Sequence, residues 1–202
     1  MKLHYSAASP FARKVRVTAI ECGFDKALTL LPTNPHQSAP DLVAANPFSK
    51  VPALELDNGD VIFESLLICE HLDEMAGGGI VFPKDKALRL QMLRRHALGN
   101  GLMEVSVLRR VESIRGKDAD RDNNIARQAA ITGRVLDRLE TAAALLDATL
   151  DLGNLSIAIA LDYVDFRFPG DSWRRGRLKL SSWHERYSRR DSLSDTKPQV
   201  LK

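Results

Sequence analysis

The run Gly77-Gly78-Gly79 divides this chain into two stretches of different character. Three consecutive glycines have no side chains to pack, and Pro83 follows them, so the segment reads as a flexible break between two folding units. Before it, short apolar runs alternate with helical patterns. After it, from Asp85 to about Arg190, the periodicity is helical and no segment reads as a strand. The boundary is expected between Ala76 and Lys84, giving an α/β unit over residues 1–77 and an all-helical unit over 84–202. A chain of 202 residues has ample material for both cores.

In the first unit, Lys2-Leu3-His4-Tyr5 reads as a strand. The helix after it places Val15, Ala19 and Ile20 on an apolar side and Arg13, Lys14 and Arg16 on a polar one. Ser9 falls at its N-cap and Pro10 at its first position. The serine oxygen accepts an orphan backbone N–H, and proline lacks the donor that would go unpaired there. A hydroxyl at a helix start is either a plain cap or part of an anion site, since free N–H groups and the positive end of the helix dipole converge there. Gly23 is the expected stop. Ala27 to Leu31 reads as a buried strand, and Asp41 to Ala45 as one or two helical turns ended by Asn46-Pro47.

Val51 to Leu56 and Asp60 to Phe63 flank Asp57-Asn58-Gly59, a hairpin signature because Asn and Gly both tolerate positive φ. Pro52 cannot donate to a ladder and needs a strand start, an edge or a cis bond. Ser65 then caps a helix from Leu66 to Met75. This order of elements predicts a small mixed sheet with helices on its faces.

In the second unit, Leu90, Leu93, Ala97, Leu98, Gly101, Leu102, Val105 and Leu108 trace an apolar stripe, with a bend expected near Gly99 to Gly101. Ser113 to Asn123 reads as a polar, mobile loop, and Ile125 to Thr149 as a second long helix. Leu155 to Leu161 is apolar nearly all round, so its helix, capped by Asp151, is expected at the centre of the bundle. Arg177 to Arg189 reads as one more helix, and the tail through Pro198 as frayed.

Composition narrows the function classes. Net charge is +3 from 29 basic and 26 acidic side chains, so nucleic acid is not an expected partner. No apolar run reaches a membrane span and no leader pattern opens the chain, so no membrane partner is expected. The two cysteines, Cys22 and Cys69, read as small buried hydrophobes in a reducing, cytoplasmic setting. The five histidines are scattered, and no metal site is indicated. The arginines at 174, 175, 177, 189 and 190 read as solvated faces.

Three groups of residues then follow in a telling order. They are Ser9-Pro10-Phe11 with Arg13 and Arg16; Asn46-Pro47, Lys50-Val51-Pro52-Ala53-Leu54 and Glu64-Ser65; and Asp151-Leu152-Gly153-Asn154 with Asp162-Tyr163 through Phe166-Arg167. With the α/β unit, the glycine break and the helical unit, the chain resembles the soluble glutathione S-transferases over almost its whole length. Its first-helix motif is similar to that of bacterial serine-type and omega-like members. Two departures stand out: Asn154 replaces the aspartate of most members, and Ala7 and Ala8 stand where zeta-like members carry serines.

The resemblance implies a thioredoxin-like first unit, a cis-proline at Pro52, a homodimer, and glutathione as co-substrate without a metal. Glutathione's thiol, with a pKa of roughly 8.5, must become a thiolate to attack an electrophile. Ser9 would donate a hydrogen bond to that sulfur while the helix start adds partial positive charge. A cis bond before Pro52 would turn the Val51 N–H and C=O toward the extended peptide as an added strand. Ser65 and its helix start suit the γ-glutamyl carboxylate, Glu64 the adjacent ammonium, and Lys50 the glycyl carboxylate. Phe11 would border both ligands. Singly, Ser65 also reads as a plain cap, Glu64 as a solvated charge and Lys50 as surface; jointly and in this order they favour the ligand reading.

The electrophile's pocket is expected between the units, near Phe11, Met103, Val107 and Trp173. No Gly-x-Ser-x-Gly elbow surrounds Ser9, so hydrolase logic is absent. A cytoplasmic transferase joining glutathione to a small hydrophobic electrophile is the first expectation. The alternative is a non-catalytic module of the same fold that binds glutathione or an apolar ligand, or serves as a protein-interaction platform.

Overall fold

The computed structural model describes residues 1–118, 120–146 and 149–199. Strand β1 (Lys2–Tyr5) lies inside a four-stranded sheet of order β2-β1-β3-β4. It runs parallel to β2 (Thr29–Pro32) and antiparallel to β3 (Ala53–Glu55), which pairs antiparallel with β4 (Val61–Phe63). The register sets Leu3 beside Leu30 and Leu54, and Leu54 beside Ile62. Helices α1 (Pro10–Glu21) and α3 (Ser65–Met75) pack together over the leucine face, burying Val15, Ala19, Ile68 and Leu72. A short α2 (Pro40–Ala45) lies against β3 and β4. This is the mixed sheet the element order predicts, in a thioredoxin-like arrangement.

Local expectations meet several corrections here. Residues Asp25–Ala27 form a 3-10 turn, and β2 is a half-exposed edge strand rather than a buried one. A continuous apolar run does not distinguish an edge from a centre, and only one neighbour pairs with β2. In the hairpin only Gly59 takes positive φ, at +90°, while Leu56 N–H donates to Asp60 O at 2.8 Å. Gly77, Gly78 and Gly79 are all left-handed, but the break is tied down. The buried Asp73 carboxylate accepts from the N–H groups of Gly79 and Ile80 at 2.9 Å and Val81 at 2.7 Å. Successive N–H groups in such a run turn to one side and make a ready anion site, here filled by the chain itself.

The helical part comprises α4 (Lys86–Ile114), α5 (Arg121–Ala142), α6 (Leu152–Arg167), α7 (Leu178–Tyr187) and α8 (Asp191–Ser194). As expected, α6 is buried almost end to end, with Asp151 at its cap accepting from Asn154 N–H at 2.8 Å. The buried face of α4 follows the leucine stripe only in part, through Leu102, with Leu93 and Leu98 packed at its edge. It is Met92, His96, Gly99, Leu102, Met103 and Ser106, while Leu90 and Leu108 are exposed. Close approach of α6 explains this: a Cβ on Gly99 would lie 2.6 Å from Ser156 C, and one on Gly153 would lie 2.5 Å from Met92 O. Gly99 therefore faces α6, and Leu90 and Leu108 are turned outward. The helix is continuous through Gly99 to Gly101.

Helix α5 begins at Arg121 rather than Ile125 and gives way at Ala142 to a 3-10 turn, short of Thr149. The expected loop is shorter too, and Arg121 ties it by donating to Glu112 O at 3.0 Å and Ser113 O at 2.8 Å. The parts of these expectations that fall on Ala119, Asp147, Ala148 and residues 200–202 lie outside the described residues. The tail is docked rather than frayed. Leu193 and Thr196 are buried, and Gln199 N–H donates to Ala7 O at 3.2 Å. Among the described residues no helix is long and apolar enough to cross a membrane.

Candidate active site

The register brings three segments to one end of the sheet. β1 leaves toward Ser9 at the end where antiparallel β3 begins, just after Pro52, and where β4 finishes, just before Glu64. Helices α1 and α3 both start there, so two sets of free N–H groups face the same end. Ser9 sits at the α1 N-cap with φ −86° and ψ 121°. Its Oγ accepts from Ala12 N–H at 3.2 Å, which leaves the hydroxyl proton for an outside acceptor. Pro10 occupies the first helical position as expected.

The Val51–Pro52 bond is cis, directly before β3. The loop leading to it is held by the buried Asn46, whose Nδ2 donates to Lys50 O at 2.9 Å and whose Oδ1 accepts from Phe48 N–H at 3.1 Å. Lys50 is exposed, and Val51 is buried. At α3 the structure corrects the cap: it is Glu64, at φ +77°, with its carboxylate accepting from Leu66 N–H at 3.2 Å and from Ser65 Oγ at 2.9 Å. Ser65 is the first helical residue and is buried; Glu64 is exposed.

Beneath this end lies a feature the sequence reading placed on the solvent side. Arg13 and Lys14 are both buried. The Arg13 guanidinium donates to Asp162 Oδ2 at 2.7 Å, Leu193 O at 2.8 Å and Thr196 Oγ1 at 3.2 Å, so α1 is clasped to α6 and the tail. Lys14 Nζ lies 3.0 Å from His96 Nε2, donates to Asn100 Oδ1 at 2.9 Å, and stands 5.9 Å from the centre of the Phe11 ring. Burial pushes the Lys14 ammonium below its ordinary range. Burial, helped by Lys14, pushes His96 down to about 3, so its neutral ring accepts a hydrogen bond from the lysine. The arginine and lysine were legible only as charges, because their partners lie some 80 to 180 residues away.

Of the residues expected around the electrophile, Phe11 and Val107 are partly accessible. Met103 and Trp173 are core, with Trp173 3% exposed and its Nε1 donating to Asp165 at 2.8 Å. Asp162, Asp165 and His184 come close enough together to hold a cation, but their atoms are engaged by protein. Asp162 takes Arg13 and His184 Nε2, and Asp165 takes Trp173 and both Arg174 nitrogens. Several arginines read as solvated are thus ion-paired: Arg174 to Asp165, Arg177 to Asp137 and Arg190 to Glu21. Burial raises the Cys22 and Cys69 thiols to about 12 and about 11, which makes both inert. Two surface hollows, about 420 Å³ at the glycine break and about 520 Å³ over the His4 face of the sheet, include neither Ser9 nor Glu64.

Comparison with known proteins places the chain by sequence and fold. Residues 8–75 match the family described as glutathione S-transferase, N-terminal domain. A glutathione transferase family member from Pseudomonas fluorescens Pf-5, solved with bound glutathione, is 35% identical, with 98% of this chain and 99% of that one aligned at a TM-score of 0.93. A second structure of such a member from that source, with bound S-(propanoic acid)-glutathione, is also 35% identical, with 99% of this chain and 100% of that one aligned at a TM-score of 0.88. The uncharacterized GST-like protein YibF of Escherichia coli (strain K12) is 29% identical over 203 residues, covering 98% of each chain. The chain belongs to the glutathione S-transferase family.

Proposed function

We propose that the protein is a glutathione transferase that holds the tripeptide at the Ser9 end of the sheet and presents its thiolate to a small hydrophobic electrophile. The observation that carries this reading is the convergence of the Ser9 cap, the cis Val51–Pro52 bond and the Glu64–Ser65 start of α3 at one end. Bound glutathione in the Pseudomonas relative supports it. Residues 1–77 form the glutathione-binding domain and 84–202 the helical domain that walls the electrophile.

Ser9 donates to the sulfur, and the α1 dipole adds to that field. Val51 pairs with the peptide backbone, and Phe11 borders the sulfur and the electrophile. Ser65 and the α3 N–H groups take the γ-glutamyl carboxylate, Glu64 the ammonium, and Lys50 the glycyl carboxylate. Ser65 Oγ turns away from Glu64 to do so, which frees Glu64 for the ammonium. In the chemical step a carbon–sulfur bond forms, and either a leaving group departs or the adjacent carbon takes a proton. The protein works in the cytoplasm as a homodimer; the exposed Phe48, Leu88 and Leu90 supply apolar surface for a second copy.

Retention on immobilised glutathione, followed by a conjugation assay over a panel of electrophiles, tests this reading. Retention with turnover supports it. Retention without turnover on any electrophile favours the non-catalytic module.

A further inference from the structure

The ends of α4 and α6 beside the Ser9 helix carry two arginines, Arg110 and Arg167, that have no carboxylate partner among the described residues. The relative directions of the helices place those ends. Asp73, whose charge acts on Cys22 at the end of α1, accepts from Val81 N–H, and Val81 O accepts from Leu152 N–H at the start of α6. The far end of α1 therefore meets the start of α6, and the two helices run antiparallel. Arg13 meets Asp162. Ser9, four residues earlier, stands about 6 Å further along, level with Phe166. Helix α4 runs parallel to α6, since Gly153 faces Met92 and Gly99 faces Ser156 and Ile157. Counted on from the nearer of these contacts, Gly99 against Ser156, Arg110 on α4 stands level with Arg167 on α6.

At that level Arg110 and Arg167 both bring positive charge to the buried Tyr163 hydroxyl. Arg167 stacks with Cζ 4.3 Å from the centre of the Phe166 ring, and its buried Nε has no hydrogen-bond partner. Among the described residues the Arg110 guanidinium donates to Ser113 Oγ, at 3.4 Å, and to no other side chain. Among the described residues neither has a carboxylate within ion-pair distance, whereas the neighbouring Arg109 is paired with Asp171. Glu104, the nearest acid along α4 on the N-terminal side, lies six residues below Arg110 and accepts from Asn100 at 2.7 Å. Two guanidinium groups without a carboxylate partner, that of Arg167 bonded to the Tyr163 phenol, stand at one level of the bundle, and planar guanidinium groups of this kind suit a carboxylate.

We infer that the electrophile this site takes bears a carboxylate, bound by Arg110 and Arg167 about the Tyr163 hydroxyl while the reactive carbon faces the sulfur at Ser9. The inference rests on the transferase reading above and names its substrate class. Arg110 and Arg167 are then specificity residues, and apolar contact with Phe11 and Val107 holds the chain that links the carboxylate to the reactive carbon.

Binding of three thioethers and thiols to the intact protein, measured by calorimetry, tests this without requiring turnover. The probes are glutathione, S-propylglutathione and S-(2-carboxyethyl)glutathione. The carboxylated conjugate is expected to bind at least about tenfold more tightly than the propyl one, a difference of about 1.4 kcal/mol. In Arg110→Met and Arg167→Met that preference falls severalfold while glutathione affinity stays the same. Equal affinities for the two conjugates in the unsubstituted protein overturn the inference and leave the transferase reading standing, even if neither variant folds. A preference that survives both substitutions overturns it as well. Failure of all three probes to bind removes the glutathione reading itself, and this inference with it.

Discussion

Arg13 on α1 and Asp162 on α6 form a buried ion pair, Nη2 to Oδ2 at 2.7 Å, that joins the sheet layer to the centre of the helical bundle. Burial works against the Asp162 charge, but the hydrogen bond from His184 and the Arg13 charge outweigh it and hold the carboxyl below the usual range. Asp162→Asn leaves a buried guanidinium without its counter-charge, and the expected loss of stability is about 3 kcal/mol. Urea unfolding checks this; a loss under about 1 kcal/mol would mean the pair does not hold the two layers together.

Two glycines on α4 separate packing from propensity. Gly99→Ala drives a methyl into the Ser156 and Ile157 backbone and should cost more than about 2 kcal/mol. Gly101→Ala meets nothing within 4 Å and should gain about 1 kcal/mol from helix propensity alone. Thermal unfolding of both variants reads the contrast, and equal effects would contradict the close α4–α6 approach.

The neutral His96 makes stability depend on pH. Its folded value is about 3 against 6.5 when free. Between those values the unfolded chain holds a proton that the folded chain lacks, so stability falls as pH drops through that window, by at most about 1.4 kcal/mol per pH unit. His96→Gln keeps an acceptor for Lys14 and removes the titration. Denaturant unfolding at about pH 6.5 and about pH 4.5 should show the unsubstituted protein losing about 2 kcal/mol more than the variant. Equal losses would place a proton on His96 in the folded state.

Glu64→Gln keeps an oxygen for the Leu66 N–H and sets an amide N–H that can donate to Ser65 Oγ where the other oxygen was, but removes the charge proposed to meet glutathione's ammonium. Glutathione affinity should fall about tenfold, or about 1.4 kcal/mol, with little change in melting temperature. An unchanged affinity by calorimetry would take Glu64 out of the site.

What the sequence made legible was local. The Ser9-Pro10 helix start, the Asn58-Gly59 turn, the Pro52 exception and the apolar α6 each rest on a few adjacent residues, and each appears where the pattern puts it. What it hid was long-range. Arg13 and Lys14 read as solvent-facing because the groups that neutralise or solvate them, Asp162, Thr196, His96 and Asn100, are distant in the chain. The α4 face was assigned only in part, through Leu102, for a related reason. Leucine spacing marks an apolar stripe, but the close approach to α6 selects the side with Gly99 and Ser106. The docked tail depends on Arg13 as well, so it could not be read without that burial.

The sulfur is expected at the Ser9 hydroxyl, and titrating the thiolate absorbance of protein-bound glutathione reads this most directly. The bound thiol should ionise at least about one unit below its free value of roughly 8.5, a preference of about 1.4 kcal/mol for the anion. Ser9→Ala should return most of that shift while leaving glutathione affinity nearly unchanged, beyond a helix-start cost of about 1 kcal/mol in stability. A bound thiol that titrates like free glutathione, or a depressed value that survives Ser9→Ala, would contradict the role assigned to Ser9.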